Sequence, residues 1–233
     1  YKRQLTSLMT IAIIVAMDKE LGLLLPMLDA VALTDADGVA CHRGRFGKLD
    51  IVACKCGIGK VNAALAADAV LRTFHPDMVI NTGVAGGTGA TDSPVGVLDV
   101  VLADRIAYHD VWCGPGTVPA QADNCPVYFT CPLTDDVADA LGVRRGLIAS
   151  GDIFIDNPDD LRRVLTVHPD ALAVDMESAA IAQACYRRGV PFVCLRVVSD
   201  TPGDGGNAAA YEEFWTDAPA RTFQALEHLL EMI

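Results

Sequence analysis

The chain has 233 residues, 52% of them hydrophobic and 21% charged, with a formal net charge of -12. That length and composition fit one large α/β domain with a sizeable core and argue against disorder. The acidic balance argues against a nucleic-acid surface, which needs clustered Lys and Arg, and against docking on an anionic membrane.

Residues 1–9 are expected to be a tail and residues 10–233 one domain. The opening "YKRQLTSLMTIAIIVAM" is basic and then apolar, but the run from Met9 to Met17 is short for a membrane span. No small-residue cleavage site follows before Asp18, Lys19 and Glu20, so the run reads as a first buried strand. Further strand-length apolar runs fall at 50–57, 77–87, 99–110, 145–152, 171–176 and 191–200, with the strand in 77–87 expected to end at Asn81. Several are apolar on both alternations, as strands covered on both faces are. Helical patterns lie between them at 59–74, 157–168 and 176–189, and a last one closes the chain, interrupted at Pro219. Asn157 is a plausible cap with Pro158 in the first turn, and Gly189 is a stop signal. Strands alternating with helices indicate an α/β fold around a central sheet. The Gly- and Pro-rich segments 112–126 and 201–207 read as loops.

Eight cysteines occur: Cys41, Cys54, Cys56, Cys113, Cys125, Cys131, Cys185 and Cys194. Several sit inside apolar runs, where free Cys behaves as a small hydrophobe. There is no C-x-x-C, and Cys54-Lys55-Cys56 lacks the usual zinc spacing, so reduced thiols and a cytoplasmic setting are expected, with no metal.

Two glycine-rich stretches resemble phosphate loops and fail the patterns. In "CGIGKVNAA", Val61 follows Lys60 where a Walker A loop needs Ser or Thr, and Asn62 takes the third glycine position of a dinucleotide fingerprint. A strand-to-helix turn is the reading that remains there. In "NTGVAGGTG", Gly83, Gly86 and Gly87 would let backbone approach a ligand beyond a strand end. Acidic residues also gather after strands: Glu20, Asp152, Asp175 with Glu177, and Asp200. Carboxyls converging at one sheet edge suit acid–base chemistry. Asp18 and Asp152 read more simply as acids at helix N-termini.

The ordered set "GIGKVNAA", "INTGVAGG", "YHD", "SGDIFI", "VDMESAAIA" and "LRVVSD" resembles the 5′-methylthioadenosine/S-adenosylhomocysteine nucleosidases of the nucleoside phosphorylase superfamily. The resemblance runs from about Ile11 to the C-terminal helix. It implies an α/β single domain with a twisted mixed central β-sheet flanked by helices, a homodimer, and no metal or organic cofactor. It also implies hydrolysis of the N-glycosidic bond of a 5′-thio-adenine nucleoside, giving adenine and a 5-thioribose, a reaction of methionine salvage. Asp200 matches the acid that protonates adenine N7, and Ser199 the residue that orients it. Glu20 matches the acid that activates water. Glu177 matches the residue that binds the ribose hydroxyls and assists that water. Met176 and Arg196 match residues beside the ribose, Phe154 the ring stacked on adenine, and Ile155 the backbone that reads the adenine edge.

Three features depart from the family pattern. Val84 stands where many members have a water-holding Ser. Asn81 stands where phosphorylases carry a phosphate-binding Arg, which favours water as the nucleophile. The segment after "YHD" is unusual, and Trp112 and Cys113 are candidates for the 5′ pocket, or for ordinary loop and interface packing. A futalosine or aminodeoxyfutalosine nucleosidase is the alternative. A phosphate-dependent phosphorylase and a non-catalytic nucleoside-binding protein are less favoured.

Overall fold

A computed structural model describes residues 8–89, 92, 94–202, 207–217 and 219–233. Residues 1–7 of the expected tail and residues 203–206 of the expected 201–207 loop lie outside that set. Among the described residues, β1 (Thr10–Val15) leads into α1 (Asp18–Leu24), then β2 (Asp29–Ala36), β3 (Val39–Phe46), β4 (Leu49–Lys55) and α2 (Lys60–Phe74). There follow β5 (Met78–Gly87), β6 (Val100–Tyr108), β7 (Phe129–Thr130), α3 (Asp135–Leu141), β8 (Arg144–Ser150) and α4 (Pro158–Val167). The chain ends with β9 (Ala171–Asp175), α5 (Ser178–Arg188), β10 (Phe192–Asp200), α6 (Asn207–Asp217) and α7 (Pro219–Met232).

One mixed sheet runs in the order β10-β6-β8-β9-β5-β1-β4-β3-β2, with β7 beside β6 and a further pairing of β10 with β5. That extra pairing closes β5, β9, β8, β6 and β10 into a ring, and β1, β4, β3 and β2 extend from it. Helices cover both faces. In β1 the alternation is sorted cleanly: Ala12 and Ile14 join the core under α2 and α5, while Ile11, Ile13 and Val15 join the core under α1 and α7. This is why β1 is apolar at every position. In α4, Asn157 accepts from the amides of Asp159 and Asp160, as its capping pattern foretold.

The strand in 77–87 does not end at Asn81. It continues to Gly87, and it changes neighbours on the way. On one edge β5 pairs with β10 from Val79 to Gly86. On the other it pairs with β1 only as far as Asn81, and with β9 only at Gly86 and Gly87. Residues 82–85 therefore have no strand on that edge. The glycines serve close packing within this switch. A Cβ on Gly87 would stand 2.9 Å from Val198 Cγ1 and 3.1 Å from the Val95 carbonyl oxygen.

Gly87→Ala is expected to lose about 1–3 kcal/mol of stability by this overlap. Gly22→Ala, inside α1 with nothing within 4 Å of the added methyl, is expected to gain roughly 0.5–1 kcal/mol. Thermal melts of the two variants check both signs; a Gly87→Ala protein as stable as the parent would contradict the packing.

Candidate active site

The unpaired stretch of β5 floors a cleft. Thr82, Val84, Ala85 and Gly86 line it from β5, Ala16, Met17 and Glu20 from the end of β1 and α1, and Val174 to Glu177 from β9 onward. Arg196, Ser199 and Asp200 come from β10, Ile153 to Ile155 from the segment after β8, and Tyr211 from α6. The cleft and its open mouth together span about 690 Å³.

Glu20 stands in for the missing strand. Its Oε2 accepts from the Ala16 amide at 2.8 Å and the Met17 amide at 3.0 Å, and its Oε1 accepts from the Val84 amide at 3.2 Å. Gly83 makes room for it, since a Cβ there would lie 2.2 Å from Glu20 Oε1. Burial raises the Glu20 pKa, opposed by Arg196 and then by the three amides. Oε1, with one amide donor against two on Oε2, has the lone pair to take a proton. Val84 contributes through its main chain, so the absence of a Ser hydroxyl leaves this contact intact.

Arg196 is the cleft's one cation among the described lining residues. Its Nε donates to Asp175 Oδ2 at 2.9 Å, and its Nη2 lies 2.7 Å from the same oxygen and 2.5 Å from Asn81 Oδ1. Asn81 is anchored in turn, donating from Nδ2 to the Ile14 carbonyl at 2.8 Å. Asp175 also accepts from Ser178 Oγ at 2.9 Å. All of this is buried. Asp175 is thus a support for Arg196 and for the start of α5. Arg196 Nη1 and Thr82 Oγ1 are buried donors with no partner among the described residues.

Glu177 caps α5, and its Oε1 accepts from the Gly59 amide at 2.9 Å. Burial, with Asp175 beside it, pushes its pKa up to about 7. The "GIGK" stretch is the expected turn, and it also holds this carboxyl; the positive φ of Gly59, 94°, is what aims the amide. On β10, Ser199 Oγ lies 2.7 Å from Asp200 Oδ1 and 3.3 Å from the Ala85 carbonyl. A hydroxyl has one proton to give and can also accept. Ser199 can donate to an ionised Asp200, or accept from a protonated one while donating to Ala85. It serves both protonation states without moving.

Phe154 is 46% exposed and meets Tyr211 edge-on at 6.1 Å between centroids; Ile155 is buried. Tyr211 hydroxyl donates to Met17 Sδ at 3.2 Å. No feature of "NAAAYEEFW" marks Tyr211 in the sequence, because its cleft partners Phe154 and Met17 lie far from it along the chain. Trp112, 65% exposed, and Cys113 do not line this cleft among the described residues. Asp152 is not an acid of the helix that follows it: its Oδ1 accepts from the Lys60 amide at the start of α2 at 2.7 Å. The eight cysteines are unpaired, six of them buried. No group of His, Cys, Asp and Glu suited to a metal occurs among the described residues.

The raised Glu177 pKa has a stability consequence. The folded chain binds this proton more tightly than the unfolded chain does, so stability from this group falls as pH rises from about 4.5 to about 7. Above that window the ionised carboxyl costs on the order of 3 kcal/mol. Glu177→Gln, which keeps an acceptor for Gly59, is expected to raise the melting temperature of the ligand-free protein by several degrees at pH 8 and to leave it unchanged near pH 4. Equal melting at pH 8 would contradict the buried, pKa-raised carboxyl.

The family model described as the phosphorylase superfamily matches residues 10–231. The chain is 33% identical over 231 residues to 5′-methylthioadenosine/S-adenosylhomocysteine nucleosidase of Staphylococcus saprophyticus, covering 96% of this chain and all of that one. To the Staphylococcus aureus protein of the same name it is 35% identical at the same coverage. The Neisseria meningitidis nucleosidase, solved with methylthio-immucillin-A, superposes with a TM-score of 0.89 at 33% identity, covering 96% of this chain and 99% of that one. The Colwellia psychrerythraea nucleosidase, solved with adenine, gives 0.86 at 33% identity, covering 96% and 95%. The chain belongs to the phosphorylase superfamily, within its 5′-methylthioadenosine/S-adenosylhomocysteine nucleosidase family.

Proposed function

We propose that this chain hydrolyses the N-glycosidic bond of 5′-methylthioadenosine and S-adenosylhomocysteine, releasing adenine and a 5-thioribose. The observation that carries the reading is one buried guanidinium, already bonded to Asp175 and Asn81, in a cleft lined by four carboxyl groups. Relatives of this chain at about one-third identity carry that activity in their names.

The cleft's geometry supports a role for each of its residues. Phe154 and the Ile155 backbone form the wall for adenine. Asp200 gives its proton to N7 of the purine, so the base leaves without negative charge, and Ser199 holds it before and after the transfer. The sugar becomes cationic as the bond breaks. Glu177 binds its hydroxyls, Met176 packs against it, and the surrounding carboxylates stabilise the charge. Arg196 Nη1 supplies a donor to a hydroxyl or to the water. Glu20 takes the proton of the attacking water on Oε1. A phosphate nucleophile would meet Glu20 and Glu177 with no uncommitted cation, which favours water.

Trp112 and Cys113 do not line this chain's own cleft, so a 5′ thioether pocket that uses them needs a second copy. We assign it to a homodimer in which Trp112 and Cys113 of a second copy complete the pocket. A reducing, cytoplasmic setting and a place in methionine salvage fit eight free thiols and this substrate class. No described helix is long and apolar enough to cross a membrane.

The parent chain is expected to release adenine from 5′-methylthioadenosine in phosphate-free buffer. Asp200→Asn is expected to lower kcat by about 10²–10⁴-fold. No release by the parent, or a mutant at parental rate, would overturn the assignment.

A further inference from the structure

Asp152 stands out because the proposed chemistry gives it nothing to do, yet it is held from three directions. Its Oδ1 accepts the Lys60 amide at 2.7 Å. Its own amide donates to Asp110 Oδ2 at 2.8 Å. Lys60 Nζ closes the circuit, 2.7 Å from Asp110 Oδ2 and 3.9 Å from Asp152 Oδ2. The circuit joins the ends of three separate strands: β4 through the 57–60 turn, β6 through Asp110, and β8 through Asp152.

Two consecutive amides in that turn are taken by two carboxylates. Gly59 N–H goes to Glu177 and Lys60 N–H to Asp152. A shift of the turn therefore moves both contacts. The packing leaves little slack. A Cβ on Gly59 would lie 3.1 Å from Asp152 Oδ1, and one on Gly151 would lie 2.5–2.7 Å from His109 ring atoms and Asp110 Cγ. Gly151 also donates to the Asp175 carbonyl at 3.1 Å, next to the carboxylate that holds Arg196. One residue beyond Asp152 the chain becomes the Ile153–Ile155 wall of the cleft.

We propose that Asp152 is a positioning residue: with Asp110 and Lys60 it clamps the Gly59 turn that holds Glu177 and the 153–155 wall, so that the sugar-side carboxyl and the base-side wall are set together. The consequence for the reaction rests on the function proposed above; the consequence for Glu177 does not. The charged and titratable groups facing Glu177 are Asp175, Arg196, Glu20 and the Cys56 thiol. None of them is altered by a change at Asp152, so what such a change varies is the Gly59 bond and the charge of Asp152 itself.

The signs separate a clamp from a charge. Losing the Asp152 charge alone lowers the Glu177 pKa, because a nearby negative charge is removed. Loosening the Gly59 amide raises it, because a donor to the ionised form is lost. Asp152→Asn removes the charge and keeps the acceptor for Lys60; Asp152→Ala removes both.

The test is carboxyl ¹³C NMR titration of Glu-labelled protein, with the Glu177 signal assigned by Glu177→Gln. The glutamates to be resolved are Glu20, Glu177, Glu212, Glu213, Glu227 and Glu231. Asp152→Ala is expected to move the Glu177 titration up by about 0.5 pH unit or more, and Asp152→Asn to leave it level or move it down. In 5′-methylthioadenosine cleavage, Asp152→Ala is expected to lose about tenfold in kcat/KM, with Asp152→Asn retaining most of it. An unmoved Glu177 titration in Asp152→Ala, or equal losses in the two variants, would overturn the clamp. If the parent does not cleave the substrate, the function fails, and the titration still decides the positioning.

Discussion

The Arg196 guanidinium is the positive charge around which the cleft is built. A buried guanidinium is tolerable only when paired, and removing one partner would leave an uncompensated charge. Asp175 and Asn81 supply the pairing, and each is itself held, Asp175 by Ser178 and Asn81 by the Ile14 carbonyl. Glu20 and Glu177 lie near that charge but form no ion pair of their own among the described residues. Glu20 relies on three backbone amides, and Glu177 on one amide and a raised pKa. The result is a cleft that can hold protons near neutral pH and that welcomes positive charge on a sugar more than an anion.

The sheet makes such a cleft possible. Four residues of β5 face an edge that β1 has left and β9 has not yet reached. Backbone amides there are unpaired by strand, and buried amides need acceptors. A carboxylate at the start of α1 reaches one of them. Loss of ladder pairing and gain of a site are the same event, which places the ligand at a topological switch of the sheet. The long parallel stretch of β5 with β10 sets Arg196 opposite Gly83 and Asp200 opposite Gly86, with Ser199 at the register shift between Val198 and Asp200.

Much of this was readable in the sequence. The doubly covered strands showed as unbroken apolar runs, the Asn157 cap as a pattern, and Glu20, Glu177 and Asp200 as acids placed after strands. What escaped notice was polar or distant. β2 and β3 form an exposed hairpin joined at Asp37-Gly38, and their polar alternation does not resemble a core strand. The run of β5 through three glycines looked like a loop, because glycine is scarce in strands; here close neighbours, Val198 among them, leave no space for side chains. Asp152 reads as an acid at a helix N-terminus, and it is one, but not of the helix that follows it. It serves α2 instead, a pairing 92 residues apart that no local rule can show. Tyr211 gave no local signal either.

The central claim is that water, and not phosphate, attacks the sugar in a cleft of carboxylates around one committed cation. The most direct measurement is the identity of the sugar product when 5′-methylthioadenosine is cleaved in phosphate buffer, followed by ³¹P NMR as adenine accumulates. Free 5-methylthioribose with no sugar phosphate signal is expected. A sugar 1-phosphate formed in step with adenine would contradict it.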